Sequence, residues 1–154
     1  MISFSIEFVN KNDELYLYAS KIPELEGYDT IVCHGSEKYV YMYGNDDEEF
    51  EYGPGEFANL ILNATGYTGK PIRLMSCNTG ALEDGFAQRL SNILQVEVLA
   101  PTEAIWVNSY GEIFISNYDV LAQMWYEGKN INDTGIWKKF YPQKGGADEK
   151  SYRF

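Results

Sequence analysis

Apolar and polar residues alternate along ISFSIEFV (2–9), with Ile2, Phe4, Ile6 and Phe8 on one face, which is the period of a half-buried strand. Asn10–Asp13 reads as a turn and ELYLYA (14–19) as the partner strand of a hairpin. Pro23 and Gly27 make 20–27 a loop. The pattern then changes. YDTIVCHGS (28–36) holds a short β-branched run that stops at His-Gly, and PIRLMSC (71–77) holds a second run that stops at a cysteine before Asn78-Thr79-Gly80. Continuous apolar runs of this kind are the pattern of central parallel strands, which are covered on both faces.

Between these runs, KYVYMYG (38–44) is β-rich, and NDDEEFEYGPG (45–55) carries five carboxylates from Asp46 to Glu51 and reads as a solvated hairpin tip. The oxygen-ligand spacing of an EF-hand is absent from it. Phe57, Leu60, Ile61 and Ala64 follow the helical period, predicting a helix over 56–65 that ends at Gly66. Leu82, Phe86, Leu90, Ile93 and Leu94 predict a second helix over 81–94, and VEVLA (96–100) a third strand. Residues 104–108 and 111–116 read as a hairpin around Ser109-Tyr110-Gly111, residues 118–127 as a short helix, and 136–141 as a last strand. Strand–helix alternation in the middle implies an α/β fold: a mixed, mainly parallel central sheet with flanking helices and peripheral β-hairpins. Residues 1–141 are expected to form one domain and 142–154 a flexible tail.

Composition narrows the function. The 154 residues carry 12 basic and 23 acidic side chains, a formal charge of −11. That balance argues against nucleic acid and anionic membranes as partners, because phosphate binding needs clustered Lys and Arg. No apolar run approaches the roughly 20 residues of a membrane span. Two cysteines exclude a disulfide-rich scaffold and a four-cysteine zinc site, and no metal or cofactor is expected.

In parallel sheets ligands bind at the carboxyl ends of strands. Two reactive side chains fall there. His34, the single histidine, ends the first apolar run before Gly35, and Cys77 ends the second. On neighbouring strands, about 4.8 Å apart, both would share one rim. The start of the predicted helix after Cys77 would lower its thiol pKa. An imidazole beside it would serve as general acid and base, and backbone N–H groups at Gly35 and Cys77 would form an oxyanion hole. Cys33 alternates with His34 and is expected to point into the packing. Glu103 and Trp106 follow the third strand on the same expected rim and are candidate pocket residues. Glu83 and Asp84 are expected to open the second helix, where carboxylates suit the dipole.

IVCHGS (31–36) and IRLMSCNTG (72–80) resemble the two signatures of the caspase-like clan of cysteine peptidases (clan CD), in the order histidine then cysteine. Within the clan the chain looks most like the cysteine peptidase domains of bacterial toxins, and SCNTG…FAQRLSNIL…VEVLAPTEAIWV (76–107) resembles C-terminal domains of bacterial polymorphic toxins. The resemblance implies a caspase-like fold and a Cys-His dyad. Cys77 matches the nucleophile and His34 the general acid. Gly35 and the Cys77 N–H match the oxyanion hole. It implies a peptide or protein substrate and a bacterial protein, cytoplasmic as a stand-alone chain or delivered as part of a secreted toxin. Such toxin domains are activated by inositol hexakisphosphate on a basic surface. This chain has no Lys/Arg cluster beyond Lys138-Lys139 and the tail, which argues against that ligand. Two other classes stay open: a catalytically silent acidic binding module, such as an immunity protein against a basic toxin, and a different thiol enzyme on the same rim, such as an acyltransferase or amidohydrolase.

Overall fold

The structure is a computed structural model and describes residues 5–7, 18–43, 48–64, 66–117 and 134–143. Its centre is a five-stranded sheet of β1 (Ser5–Glu7), β2 (Asp29–Val32), β6 (Ile72–Met75), β7 (Val98–Pro101) and β10 (Trp137–Phe140), in that spatial order. The first four are parallel and β10 closes one edge antiparallel to β7. β2, β6 and β7 are buried throughout, Asp29 and Thr30 of β2 and Arg73 of β6 included, as strands of a sheet covered on both faces. A second sheet, of three strands, is made by β3 (His34–Gly35), β4 (Val40–Tyr43) and β5 (Glu49–Tyr52). A separate hairpin pairs β8 (Ala104–Val107) with β9 (Ile113–Ser116).

Helix α1 (Pro54–Ala64) starts three residues before its apolar period does. Pro54 occupies the first helical position, and Glu56 accepts the Gly53 N–H at 2.9 Å, a cap that hydrophobic spacing cannot reveal. Helix α2 is Phe86–Leu94, shorter than the expected 81–94. Leu82 lies on the helical period by coincidence of spacing, while 77–85 form successive turns and bends. Glu83 and Asp84 therefore precede the helix instead of opening it.

The two faces of the central sheet have separate cores. On one, Ile31, Cys33, Ile72, Leu74, Val98 and Ala100 pack under Phe57, Ile61, Phe86 and Leu90 of the two helices. Phe57 and Phe86 meet with ring centroids 5.7 Å apart. On the other, Val32 and Met75 pack with Ile105, Val107 and Ile115 of the β8–β9 hairpin. Ser91 ties α2 to β10, donating to the carbonyls of Val96 at 2.6 Å and Phe140 at 3.1 Å.

Several expectations need correction. Of the expected hairpin of 2–9 with 14–19, residues 5–7 pair parallel with β2 and residues 18 and 19 are helical, while the remaining residues of both segments lie outside the described ones. A parallel neighbour needs a crossover rather than a turn. The acidic segment 45–55 supplies a strand, β5, paired antiparallel with β4, and residues 44–47 lie outside the described ones. Residues 142 and 143, expected in the tail, lie against α2, with the Gln143 N–H donating to Asn92 Oδ1 at 2.9 Å. The rest of that tail, the turn at 10–13 and the helix expected over 118–127 fall outside the described residues. Among the described residues no helix is long and apolar enough to cross a membrane, and no cluster of three or more His, Cys, Asp or Glu could hold a metal ion.

Candidate functional site

β2 and β6 are neighbours, paired parallel with Val32 opposite Met75. Each strand then runs on by two residues, to His34 and to Cys77, so both side chains belong to one carboxyl rim of the sheet. The register persists past the strands: the Cys33 N–H donates to the Met75 carbonyl at 3.2 Å, and the Cys33 thiol to Ser76 Oγ at 3.6 Å. Alternation sends Cys33 into the helical core, where it is fully buried. Cys77 packs on the opposite core, with Val32 and Met75, and His34, two residues past Val32, alternates to that same side.

The two rim turns are in contact through glycine. A Cβ added at Gly35 would lie 2.1 Å from Ser76 Oγ, 2.9 Å from Thr79 Cγ2 and 3.3 Å from the Cys77 carbonyl oxygen. Only a residue without a side chain lets the His34 turn come this near the Cys77 turn. The Cys77 turn is itself tightly tied. Asn78 takes the left-handed conformation at φ 61°, and its N–H donates to the Glu103 carbonyl at 3.0 Å. The Gly80 N–H reaches the Pro101 carbonyl at 2.9 Å, and Thr79 Oγ1 donates to the Ser76 carbonyl at 2.9 Å.

Cys77 is half-buried. Its Sγ accepts the Ile105 N–H at 3.3 Å and lies 3.8 Å from the Ile105 carbonyl oxygen. Burial pushes the thiol pKa up, against the lowering effect of the backbone N–H groups of Ile105 and of Cys77 itself. The expected help from a helix start is not present, because α2 begins nine residues after Cys77. Instead the first turn of α2 clamps the two rim segments together. Phe86 N–H donates to the Glu37 carbonyl at 2.9 Å and Ala87 N–H to the Thr79 carbonyl at 3.0 Å.

His34 is half-buried at the start of the three-stranded sheet, opposite Tyr41. Its ring stands edge-on to Tyr43, with centroids 6.3 Å apart and planes at 80°. Tyr43 in turn donates to Glu49 at 3.1 Å. Of the candidate pocket residues, Glu103 meets the Cys77 turn through its backbone carbonyl. Trp106 is half-buried on β8 beside Ile105, whose backbone N–H bonds the Cys77 sulfur.

A family model matches residues 4–115, and its description is a domain of unknown function, DUF8616. The chain belongs to the DUF8616 family. The match takes in His34, Gly35, Cys77, Glu103 and Trp106 and ends before β10, so the candidate rim lies wholly within the DUF8616 span. No curated protein and no solved structure matches the chain.

Two features of the site were not legible as candidate positions. One is a cleft of about 210 Å³ between the turn after His34 and the start of α2, with Lys38, Tyr39, Asp84 and Arg89 in its lining. Arg89 pairs there with Asp84 at 3.3 Å. These residues come from two distant segments, which the Glu37–Phe86 bond joins. The other is Ile105, an apolar residue whose contribution to Cys77 is its backbone.

Proposed function

We propose that this DUF8616 protein is a cysteine peptidase of the caspase-like kind, with Cys77 as nucleophile and His34 as its proton-transfer partner. The β2–β6 register carries the reading, because it sets His34 and Cys77 at equivalent positions two residues beyond paired strand ends. The contact of Gly35 with the Cys77 turn supports it. The mixed, mainly parallel sheet with helices is the architecture this reading needs, and a bacterial toxin effector or processing domain is the setting that the motifs favour.

In this mechanism the Cys77 thiol gives its proton to the imidazole and the sulfur attacks the peptide carbonyl carbon. The oxyanion accepts hydrogen bonds from the Gly35 and Cys77 N–H groups. His34 then protonates the departing amine, leaving a thioester on Cys77, which water hydrolyses with His34 taking the water proton and returning it to the thiol. Because burial raises the thiol pKa, the resting nucleophile is the neutral thiol, and ionisation belongs to the substrate complex.

The test is labelling of Cys77. Iodoacetamide is expected to react slowly near neutral pH, with a rate that inflects above the roughly 8.5 of a free thiol. A library of peptidyl vinyl sulfones should contain members that label wild type far faster, and lose that advantage in His34→Ala. The reading fails if no library member outpaces iodoacetamide. Charge favours a second reading, an acidic binding module, since the chain carries −11. It predicts a basic protein partner whose affinity Cys77→Ala leaves unchanged, without any cleavage.

A further inference from the structure

The face of the three-stranded sheet that carries His34 has a composition that the dyad does not use. Residues directly opposite in an antiparallel ladder point to the same side. The registers His34–Tyr41 and Tyr41–Glu51 therefore make one row, and Tyr43–Glu49 makes the next. On the opposite face of the same strands Val40 and Met42 are buried in the core. On the His34 face Tyr41 and Tyr43 are half-buried while Glu49 and Glu51 are exposed. Tyr43 joins the two ends of the surface, with its ring edge-on to the imidazole and its hydroxyl donating to Glu49 at 3.1 Å.

We infer that this face receives a lysine or arginine side chain of an extended peptide, which makes peptides basic near the scissile bond the substrate class of the peptidase proposed above. Flat aromatic rings bordered by carboxylates are the chemistry that holds an ammonium or guanidinium group, through the ring quadrupole and a charged hydrogen bond. Charge agrees along the whole segment. Between His34 and Glu56 stand Glu37, Asp46, Asp47, Glu48, Glu49, Glu51 and Glu56 against one basic residue, Lys38. Lys38 belongs to the cleft beside α2, not to the strand rows of this face. Glu51 lies two strand spacings from His34, about 10 Å. An extended chain advances about 3.3 Å per residue, so the basic side chain belongs within two or three residues of the bond cleaved.

The identification as substrate rests on the peptidase reading; the binding does not. Binding is measured with the full chain carrying Cys77→Ala and fluorescein-labelled nonapeptides that differ only in a central Arg, Lys, Gln or Glu. The Arg and Lys peptides are expected to bind about tenfold more tightly than the Glu peptide. The exposed pair Glu49→Gln/Glu51→Gln should remove most of that preference. The exposed pair Glu24→Gln/Glu26→Gln, an equal change of charge in the 20–27 loop, should keep it. Equal affinity for all four peptides overturns the inference. So does an equal loss in both variant pairs, which would mean attraction by net charge alone. Cleavage by wild type is followed with the same peptides. Selective binding without cleavage sinks the peptidase reading and leaves the surface standing. Cleavage without basic preference does the reverse.

Discussion

Cys33 and Cys77 sit on adjacent rim segments but in different surroundings. Cys33 is fully buried with its thiol on Ser76 Oγ, and burial outweighs that hydrogen bond and pushes its pKa from 9.0 to about 12. Tyr67 and Tyr28 are likewise raised from 10.0 to about 12, first by burial. A folded-state pKa above the unfolded value means that the fold keeps the neutral form. Stability is then intact below the unfolded value and falls as pH rises through the folded one. For Cys33 the window is pH 9 to about 12, with a slope of about 1.4 kcal/mol per pH unit. Urea unfolding at pH 8, 9.5 and 11 should show a falling stability, and Cys33→Ala should flatten it by about that slope. An unchanged slope in Cys33→Ala would mean that the thiol ionises in the folded state.

At the scale of elements, α2 holds the rim together more through its first turn than through its dipole. Gly85 caps the helix with no side-chain hydrogen bond. A Cβ at Gly85 would meet the Glu37 carbonyl oxygen at 2.8 Å, the same oxygen that accepts the Phe86 N–H. Replacing a capping glycine by alanine commonly changes stability by a few tenths of a kcal/mol to about 1 kcal/mol. Here the close approach should raise the cost of Gly85→Ala to about 1–3 kcal/mol, as overpacking does. Amide exchange should rise at Phe86 and Ala87 before it rises in the central strands. Uniform exchange along the chain would show that the clamp is not a separate unit. The helix start was illegible because Leu82 and Phe86 stand four apart, which imitates a helix, although Gly80 and Gly85 bracket a turn. The hairpin of β8 and β9 was legible, because Asn108 and Gly111 fix its turn locally. The Asn108 side chain accepts from Tyr110 N–H at 2.9 Å and Glu112 N–H at 3.0 Å.

For the whole molecule, one sheet with a core on each face predicts a single cooperative transition. Leu90, on the inner face of α2, is fully buried, while Trp137 packs on the opposite core. Leu90→Ala should cost about 2–5 kcal/mol. The midpoints from far-ultraviolet dichroism and from tryptophan fluorescence should shift together. Separate midpoints would show that the hairpin side melts independently of the helical side. The acidic charge also belongs to this scale: β5 gathers exposed glutamates on the sheet that starts at His34, so the charge is placed beside the candidate site as well as summed over the chain.

The sequence by itself determined the local elements whose causes are local. Apolar runs made β2 and β6, caps and period made α1, and a side-chain turn made the β8–β9 hairpin. It also put His34 and Cys77 at strand ends. Pairing was decided only by tertiary structure, because strand neighbours are chosen by which faces can be covered, not by spacing along the chain. That choice turned β1 into a parallel neighbour of β2 and closed the sheet with antiparallel β10. It also set Ile105 against the Cys77 sulfur. The state of the thiol follows from the same cause. An N–H aimed at sulfur and the burial around it both come from the fold, and of the two burial is the larger, so the Cys77 thiol pKa is pushed up.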